Sequence, residues 1–250
     1  MYGLVGKKLG HSFSKDYFTK KFSKLNLDYS YQNIELENIS DIIPFIKENK
    51  NLKGFNVTVP YKEEIIPYLD EIDPIAKEVG AVNTVKVYDD GRLKGFNTDV
   101  IGFKKLLDKT PRHRDTETLS LILGSGGASK AVQYVLNKEN IPYKIVSRSF
   151  KLGVRSEELG VSYEEINITG FKPYSFIINT TPVGMFPNVD DCLELPYSTI
   201  EPHNIFIDLI YNPEETLFLK KAKDFGAAAF NGMTMLYEQA EAAWEIWNNS

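Results

Sequence analysis

The sequence is short of cysteine, histidine and long apolar runs, and each shortage argues against a class of protein. Cys192 is the single cysteine among 250 residues, so no disulfide can form within the chain. The three histidines, His11, His113 and His203, lack the close spacing of metal ligands, and we expect no metal site. No run of residues is long and apolar enough to cross a bilayer, and the first residues lack the apolar stretch of a signal peptide. We therefore expect a cytoplasmic protein with no membrane partner.

Basic side chains are also in the minority. Lys and Arg total 29 against 34 Asp and Glu, which gives a formal net charge of -5. Nucleic acids bind to basic patches, so a nucleic-acid partner is not expected, although this balance still permits a local basic pocket for one phosphate. A chain of 250 residues can form one large domain or two modest ones, each with a core of its own.

What the sequence does contain is a regular alternation of strand-like and helix-like segments. This alternation predicts an α/β chain with mostly parallel sheets. An Asp-Asp-Gly turn at 89–91 between two strand-like segments predicts a hairpin. Strands are predicted at 2–6, 29–35, 54–59, 83–88, 92–96, 119–123, 143–146, 175–179, 205–208 and 227–230. Helices are predicted at 14–25, from a cap at Ser40 or Asp41 through 46, and at 62–68, 74–79 and 98–107. Further helices are predicted after the glycine-rich turn through 136, and at 215–225 and 233–247, and Ser14 is the predicted cap of the first helix.

A glycine-rich turn follows the apolar strand at 119–123. A dinucleotide cofactor needs close backbone approach and free N–H groups at a helix start for its pyrophosphate, and this order of strand, turn and helix provides both. The alternative is an ordinary glycine-rich turn, because a serine stands where the third glycine of the usual pattern belongs. The residues concerned are Gly124, Gly126, Gly127, Ala128 and Ser129. We accordingly expect a first domain over 1–100 and a dinucleotide-binding domain over 101–230, with the last helix (231–250) packed back on the first domain.

The end of the next strand bears on the choice between NAD and NADP. NAD-binding proteins usually place an acidic residue there, whereas this chain has Ser147, Arg148 and Ser149. A guanidinium group suits the 2′-phosphate of NADP, so the sequence favours NADP. A surface arginine without a ligand is the alternative.

Polar residues cluster at three strand ends of the first domain. Lys62 follows the strand at 54–59 and could protonate a carbonyl oxygen as hydride reaches its carbon. The other clusters are Ser12 with Ser14, and the run 97–99 that ends at Asp99. Taken singly, these residues could be a solvated lysine and helix caps. Taken together, they suit a polyhydroxylated, anionic substrate.

The ordered set of motifs resembles the shikimate dehydrogenase family, whose members use NADP to interconvert 3-dehydroshikimate and shikimate on the route to chorismate and the aromatic amino acids. The matching stretches are GHSFS at 10–14, NVTVPYK at 56–62, GAVNT at 80–84, GFNTD at 95–99, the glycine turn, SRS at 147–149, NTTPVGM at 179–185, DLIYNP at 208–213 and the segment 231–239. The resemblance implies a substrate domain and a Rossmann-like NADP domain with a cleft between them. It also implies a small-molecule partner and a monomer or homodimer.

The resemblance also assigns site residues. Lys62 and Asp99 would be the catalytic pair. Substrate would be held by Ser12, Ser14, Thr58, Asn83, Tyr211 and Gln239. NADP would be bound by Gly124, Gly126, Gly127, Ala128, Ser129, Ser147, Arg148, Ser149, Thr180 and Gly232.

One stretch departs from the family pattern, and other functions stay open. The segment after Ser149 is short and interrupted by Gly153 and Gly160, where the family has a helix with a second basic residue, so selectivity for NADP over NAD is left open. The alternatives are a relative acting on quinate or an amino analogue or using NAD, a methylene-tetrahydrofolate dehydrogenase, and a non-catalytic dinucleotide-binding relative. Retention of Lys62 with Asp99 argues against the last.

Overall fold

The computed structural model describes residues 1–10, 12–111, 119–147 and 160–248, which form two compact units. The first unit comprises Met1–Asp99 together with Gln239–Ser250, and the second comprises Val100–Glu238. The boundaries predicted from the sequence were residues 100 and 230. In the structure, the chain returns to the first unit at Gln239, inside the last helix rather than before it.

The first unit is a six-stranded sheet with helices. Its strands are β1 (Tyr2–Gly6), β2 (Tyr31–Glu35), β3 (Gly54–Val57), β4 (Glu71–Ile72), β5 (Thr84–Val87) and β6 (Leu93–Phe96), in the order β2-β1-β3-β5-β6-β4. Its helices are α1 (Phe13–Lys24), α2 (Ile42–Glu48) and α3 (Pro74–Val79). A fourth helix, α4 (Asp99–Asp108), begins at Asp99 of this unit and continues into the second unit. The predicted hairpin is confirmed, since β5 pairs with both β3 and β6 in antiparallel fashion. The other three pairings of this sheet, β1 with β2, β1 with β3 and β4 with β6, are parallel, so the sheet is mostly parallel as predicted.

The second unit is a fully parallel, doubly wound sheet. Its strands are β7 (Ser120–Leu123), β8 (Tyr143–Val146), β9 (Gly160–Val161), β10 (Phe176–Asn179), β11 (Ile205–Asp208) and β12 (Ala228–Phe230), in the order β9-β8-β7-β10-β11-β12. Its helices are α5 (Gly127–Lys138), α6 (Tyr163–Thr169) and α7 (Leu217–Asp224), and α8 (Met233–Asn248) begins here and ends in the first unit. The strand order reverses between β7 and β10, and such a switch point is where Rossmann-like sheets bind their ligands.

Both faces of the first sheet are covered, because neighbouring strand residues point to opposite sides. Val5 contributes to one apolar core, and Tyr2 belongs to an aromatic cluster on the other side with Phe18 and Trp247. The indole of Trp247 donates a hydrogen bond to the carbonyl oxygen of Val85 at 3.0 Å. A side chain at Gly54 would collide with this indole, so the close approach of α8 requires glycine there.

The strands of the second sheet are almost entirely apolar, as expected for parallel strands buried on both faces. Leu121, Leu123, Ile177 and Phe206 are fully buried in its core, and Phe218 of α7 packs against them. At the carboxyl ends of β10 and β11 the apolar runs stop at Asn179 and Asp208, both buried without side-chain exposure.

Several local predictions need correction. Ser12, not Ser14, is the N-cap of α1, because its hydroxyl accepts a hydrogen bond from the N–H of Lys15 at 3.4 Å. The predicted helix at 62–68 is a series of turns that ends in the short 3-10 helix Ile66–Tyr68. Helix α6 was missed, although its capping box of Ser162 and Glu165 is visible in the sequence. In the described part of the chain, no helix is long and apolar enough to cross a membrane.

Candidate active site

The predicted catalytic pair forms a buried ion pair in the first unit. The ammonium group of Lys62 donates to one carboxylate oxygen of Asp99 at 2.7 Å. The two side chains are only 16% and 8% exposed, so water screens the pair weakly. Lys62 lies in the turn after β3, and Asp99 is the first residue of α4, where the helix dipole favours an acidic side chain. The fold thus brings together two residues that are 37 positions apart in the sequence.

Asp99 is fixed in orientation by a second donor. The side-chain amide of Asn83 donates to the other carboxylate oxygen at 2.8 Å. The carbonyl oxygen of the same amide accepts a hydrogen bond from the backbone N–H of Thr98 at 2.7 Å. Because each end of the Asn83 amide has a partner, its orientation is set, and both Asp99 oxygens are held in place.

A chain of buried polar groups behind this pair was missed by the sequence analysis. The hydroxyl of Thr84 lies 3.1 Å from that of Thr98 and accepts from the amide of Asn56 at 3.0 Å. The side-chain carbonyl oxygen of Asn56 accepts a hydrogen bond from the hydroxyl of Tyr31 at 2.8 Å. The available signal was a buried polar residue in each strand, Asn56 in the otherwise apolar β3 and Thr84 at the start of β5.

Two predicted substrate residues join this network. Ser14 is buried in α1, and burial raises the pKa of the Tyr31 phenol while the neighbouring Ser14 hydroxyl opposes that rise. Gln239 enters through α8, where its side-chain oxygen lies 3.5 Å from the Thr98 hydroxyl. The network therefore connects three sequence-distant segments within the first unit: α1, the strand ends around Asn83, and α8.

The remaining predicted substrate residues are placed differently. Ser12 is half-buried at the start of α1, and Thr58 is half-buried one residue after β3. Tyr211 belongs to the second unit, three residues beyond β11, and burial raises its pKa above the ordinary tyrosine value.

The glycine turn of the second unit has the conformation that a phosphate-binding turn needs. Gly124 has a φ of +108°, which a side chain would strain, and an added methyl would lie 2.7 Å from the hydroxyl oxygen of Thr180. Thr180 in turn donates to the carbonyl oxygen of Leu123 at 2.8 Å. The predicted cofactor residues Gly124 and Thr180 therefore meet at the switch point of the sheet.

The start of α5 leaves room for a ligand. Gly126 is the exposed N-cap, and among the described residues beyond its chain neighbours no atom lies within 4 Å of where its side chain would be. Gly127 and Ala128 form the half-buried first turn. A glycine cap leaves the first-turn N–H groups without a side-chain partner, so this helix end suits a pyrophosphate. The residues present thus fit a dinucleotide.

Other predicted cofactor residues also have structural tasks. The buried Ser129 hydroxyl accepts a hydrogen bond from the Gln133 side-chain amide at 3.0 Å, which joins two residues of α5. Ser147 follows β8, and its hydroxyl lies 2.9 Å from that of Ser125. Gly232 packs so closely on the backbone of Leu209 that an added methyl would collide with the carbonyl oxygen. The predicted contacts of Arg148 and Ser149, and the interrupted segment after them, lie outside the described residues.

Within the described residues, no group of three or more His, Cys, Asp or Glu could hold a metal ion.

A doubly wound parallel sheet with a glycine turn at its switch point, in a chain that also holds a buried lysine–aspartate pair, is typical of nicotinamide-dependent oxidoreductases. Comparisons with known proteins make the class more specific. The family model described as the shikimate dehydrogenase substrate binding domain matches residues 4–85. "Shikimate dehydrogenase (NADP(+))" of Methanococcus maripaludis is 38% identical over 254 residues, covering 98% of this chain and 90% of the relative. The chain belongs to the shikimate dehydrogenase family and is an NADP-dependent oxidoreductase.

Two solved structures have the same fold over almost the whole chain. A chorismate mutase/shikimate 5-dehydrogenase fusion protein from Clostridium acetobutylicum is 38% identical, with a TM-score of 0.83 over 99% of this chain and 90% of that one. Shikimate 5-dehydrogenase from Thermus thermophilus, in complex with NADP(H) and shikimate, is 28% identical, with a TM-score of 0.83 over 99% of this chain and 92% of that one. The family resemblance and the α/β fold class predicted from the sequence are confirmed.

Proposed function

We propose that this protein reduces 3-dehydroshikimate to shikimate with NADPH, in a reversible reaction that supplies the chorismate pathway. The observation that carries the proposal is the Lys62–Asp99 ion pair, oriented by Asn83. It is supported by the names of the relatives and by the shikimate and NADP(H) bound to the Thermus thermophilus protein.

The lysine acts as the acid of the reaction. Reduction of a ketone places negative charge on the carbonyl oxygen, and a buried ammonium group can donate a proton to that oxygen. Asp99 holds the ammonium group of Lys62 in one position and accepts a hydrogen bond from a substrate hydroxyl, which orients the ring. NADPH, when bound, supplies the hydride that reaches the carbonyl carbon.

Substrate is held by short polar side chains. Serine, threonine and amide groups donate to a carboxylate and exchange hydrogen bonds with hydroxyls, which are the polar groups of a dehydroshikimate. In this proposal residues 1–100 and the last helix serve as the substrate domain. The side chains assigned to substrate in that domain are Ser12, Ser14, Thr58, Asn83 and Gln239, and Tyr211 of the second unit is assigned to substrate as well.

The cofactor is held by the dinucleotide-binding domain at 101–230 and by Gly232 just beyond it. The first turn of α5 and the turn of Gly124 and Gly126 bind the pyrophosphate, and Arg148 binds the 2′-phosphate. Ser147, Ser149, Thr180 and Gly232 complete the assigned contacts.

The proposed partners are small molecules only, and the proposed location is the cytoplasm. The acidic net charge of -5 supports the absence of a nucleic-acid partner, and a single cysteine suits a reducing compartment. The assigned assembly is a monomer or homodimer, which sedimentation velocity would distinguish.

The direct test follows the near-ultraviolet absorbance of NADPH mixed with protein and 3-dehydroshikimate. The proposal predicts rapid loss of absorbance with NADPH, slow loss with NADH, and none without the ketone. Comparable rates with NADH would refute only the role of Arg148. Oxidation of quinate with NAD⁺ at a higher kcat/KM than shikimate with NADP⁺ would replace the proposal by the quinate alternative. Binding of NADPH without turnover of any of these substrates would indicate the non-catalytic alternative.

A further inference from the structure

Asp208 is a buried carboxylate to which the proposed function gives no role. It is the last residue of β11, and its side chain has no exposed surface. One carboxylate oxygen accepts from the amide of Asn179 at 3.1 Å and from the N–H of Ile210 at 3.0 Å. The other accepts from the hydroxyl of Thr216 at 2.6 Å. Burial of a carboxylate is costly unless it is hydrogen-bonded, so these three bonds are what the fold supplies to keep it there.

Each donor belongs to a different segment around the carboxyl end of the sheet. Asn179 ends β10, and its side-chain oxygen accepts from the N–H and the hydroxyl of Thr181 at 2.9 Å and 2.7 Å. Ile210 is in the segment that leads to Tyr211. Thr216 is the N-cap of α7, where its hydroxyl accepts from the N–H of Leu219. One carboxylate therefore ties together the segment at 180–187, the segment at 209–213 and the start of α7.

These segments carry two residues of the proposed site. Thr180 lies against Gly124 at the switch point, and Tyr211 lies three residues after Asp208. The two segments are also joined directly, because the N–H of Phe186 donates to the carbonyl oxygen of Asn212 at 3.0 Å. A shift of either segment would change the position of Thr180 or Tyr211.

We propose that Asp208 is a positioning residue for this reaction: its buried carboxylate holds the segments of Thr180 and Tyr211 in the arrangement that binds cofactor and substrate. The inference rests on the function proposed above. Asp208 acts through its three donors and does not touch the reacting atoms.

In the part of the chain that the structure describes, the groups that hydrogen-bond to the Asp208 carboxylate are all neutral. Burial raises its pKa to about 6, and the Thr216 hydroxyl, the Ile210 N–H and the Asn179 amide oppose that rise. The Tyr197 phenol is a titratable group that faces Asp208. Its pKa is raised by burial, by Cys192 and by the charge of Asp208. Lys221 lies over the Tyr197 ring, with its ammonium group 4.6 Å from the ring centre.

Asp208→Leu and Asp208→Asn test the proposal, with Glu215→Gln as the matched control. Leucine leaves all three donors without an acceptor, whereas asparagine still accepts from Asn179 and Ile210 and can donate to Thr216. Glu215 is a half-exposed carboxylate one residue before Thr216, paired with Lys223 at 2.6 Å. The readouts are the Kd of NADP⁺ from calorimetric titration, KM and kcat for shikimate, and the circular dichroism melting curve.

For Asp208→Leu, a cooperative melt is expected with Kd and KM each raised about tenfold or more and kcat reduced less. The Kd and KM of Asp208→Asn should stay within about threefold of the wild-type values at pH 8, and those of Glu215→Gln within about twofold. A folded Asp208→Leu with wild-type Kd and KM would overturn the proposal. Because the Kd is measured without turnover, the comparison remains valid even if wild type fails to reduce 3-dehydroshikimate.

If Asp208→Leu does not fold, Thr216→Val and Thr216→Ser decide the question. Valine keeps the shape of threonine and removes the donor to Asp208, whereas serine restores the hydroxyl. Kd and KM are expected to rise about threefold to fivefold in the valine variant and to return to wild type in the serine variant. Unchanged Kd and KM in the valine variant would overturn the proposal, because a lost helix cap alone lowers only the melting temperature.

Discussion

Asp99 and Asp208 are both buried carboxylates, with 6% and 0% exposure, but their partners differ. Asp99 pairs with the ammonium group of Lys62 and with one amide, whereas Asp208 is bonded to two N–H groups and a hydroxyl, all neutral. A carboxylate beside a cation can hold a proton donor ready for a substrate. The carboxylate of Asp208 has no cation to hold among the described residues, and it fixes the segments that carry its neutral donors. The comparison separates a catalytic from a positioning role.

The same substitution at both carboxylates should give the largest difference. Asp99→Asn removes the charge that holds Lys62 and should lower kcat about a thousandfold, whereas Asp208→Asn should change it only severalfold. Steady-state kinetics with shikimate and NADP⁺ measures both. Asp90→Asn, at an exposed carboxylate paired with Arg92 at 2.7 Å, is the control and should be nearly unaffected. A kcat for Asp99→Asn within tenfold of wild type would contradict a catalytic role for Asp99 and remove the distinction between the two carboxylates.

The pH dependence of stability should reveal Asp208 directly. Its pKa is about 6 in the folded protein against an ordinary 3.8, so the folded state binds the proton more tightly than the unfolded state. Its charged form therefore costs stability, and that cost grows as pH rises from 4 to above 6, to about 2–3 kcal/mol at most. Urea unfolding of wild type and Asp208→Asn should show the variant gaining relative stability over this range. Parallel curves would contradict a raised pKa.

The glycine turn allows strain to be separated from ligand binding. Gly124→Ala should raise the Kd of NADP⁺ about tenfold and cost about 1–2 kcal/mol of stability, because φ is +108° and Thr180 is in the way. Gly91→Ala is the matched control, since its φ is +88° but no other described part of the chain comes within 4 Å of the added methyl. It should lose similar stability and leave the Kd unchanged. Equal Kd values for Gly124→Ala and wild type would show that the turn does not bind the cofactor.

The smallest effect is expected in the aromatic cluster of the first unit. Trp247→Phe removes the hydrogen bond to the Val85 carbonyl oxygen and should cost about 1 kcal/mol of unfolding free energy. Kd and KM should not change, because the indole packs in the aromatic cluster with Tyr2 and Phe18. Thermal unfolding with parallel kinetics measures this. A raised KM would mean that α8 positions Gln239 through Trp247.

Local patterns in the sequence predicted much of the molecule. The glycine turn, the hairpin at 89–91 and the apolar strands depend on neighbouring residues, and the structure contains them. Lys62 and Asp99 were found by combining a chemical argument with a family resemblance, and the structure brings their side chains into contact.

What escaped prediction depends on which strands become neighbours. Asn56 and Thr84 meet because β3 pairs with β5, and Tyr31 reaches Asn56 from β2, two strands from β3 in the sheet. Asp208 and Asn179 were visible at strand ends, but only the pairing of β10 with β11 explains their contact. The cap of α1 was misplaced by two residues because Ser12 and Ser14 are chemically identical.

The most direct test of the central claim compares Lys62→Ala with wild type and with Lys50→Ala, at an exposed lysine of the same unit. The measurement is kcat for shikimate oxidation with NADP⁺, beside the calorimetric Kd of shikimate. If Lys62 moves the proton, kcat in Lys62→Ala falls about a thousandfold while Kd changes less than about fivefold, and Lys50→Ala matches wild type. Near-normal turnover in Lys62→Ala with unchanged Kd would contradict the catalytic role of the ion pair.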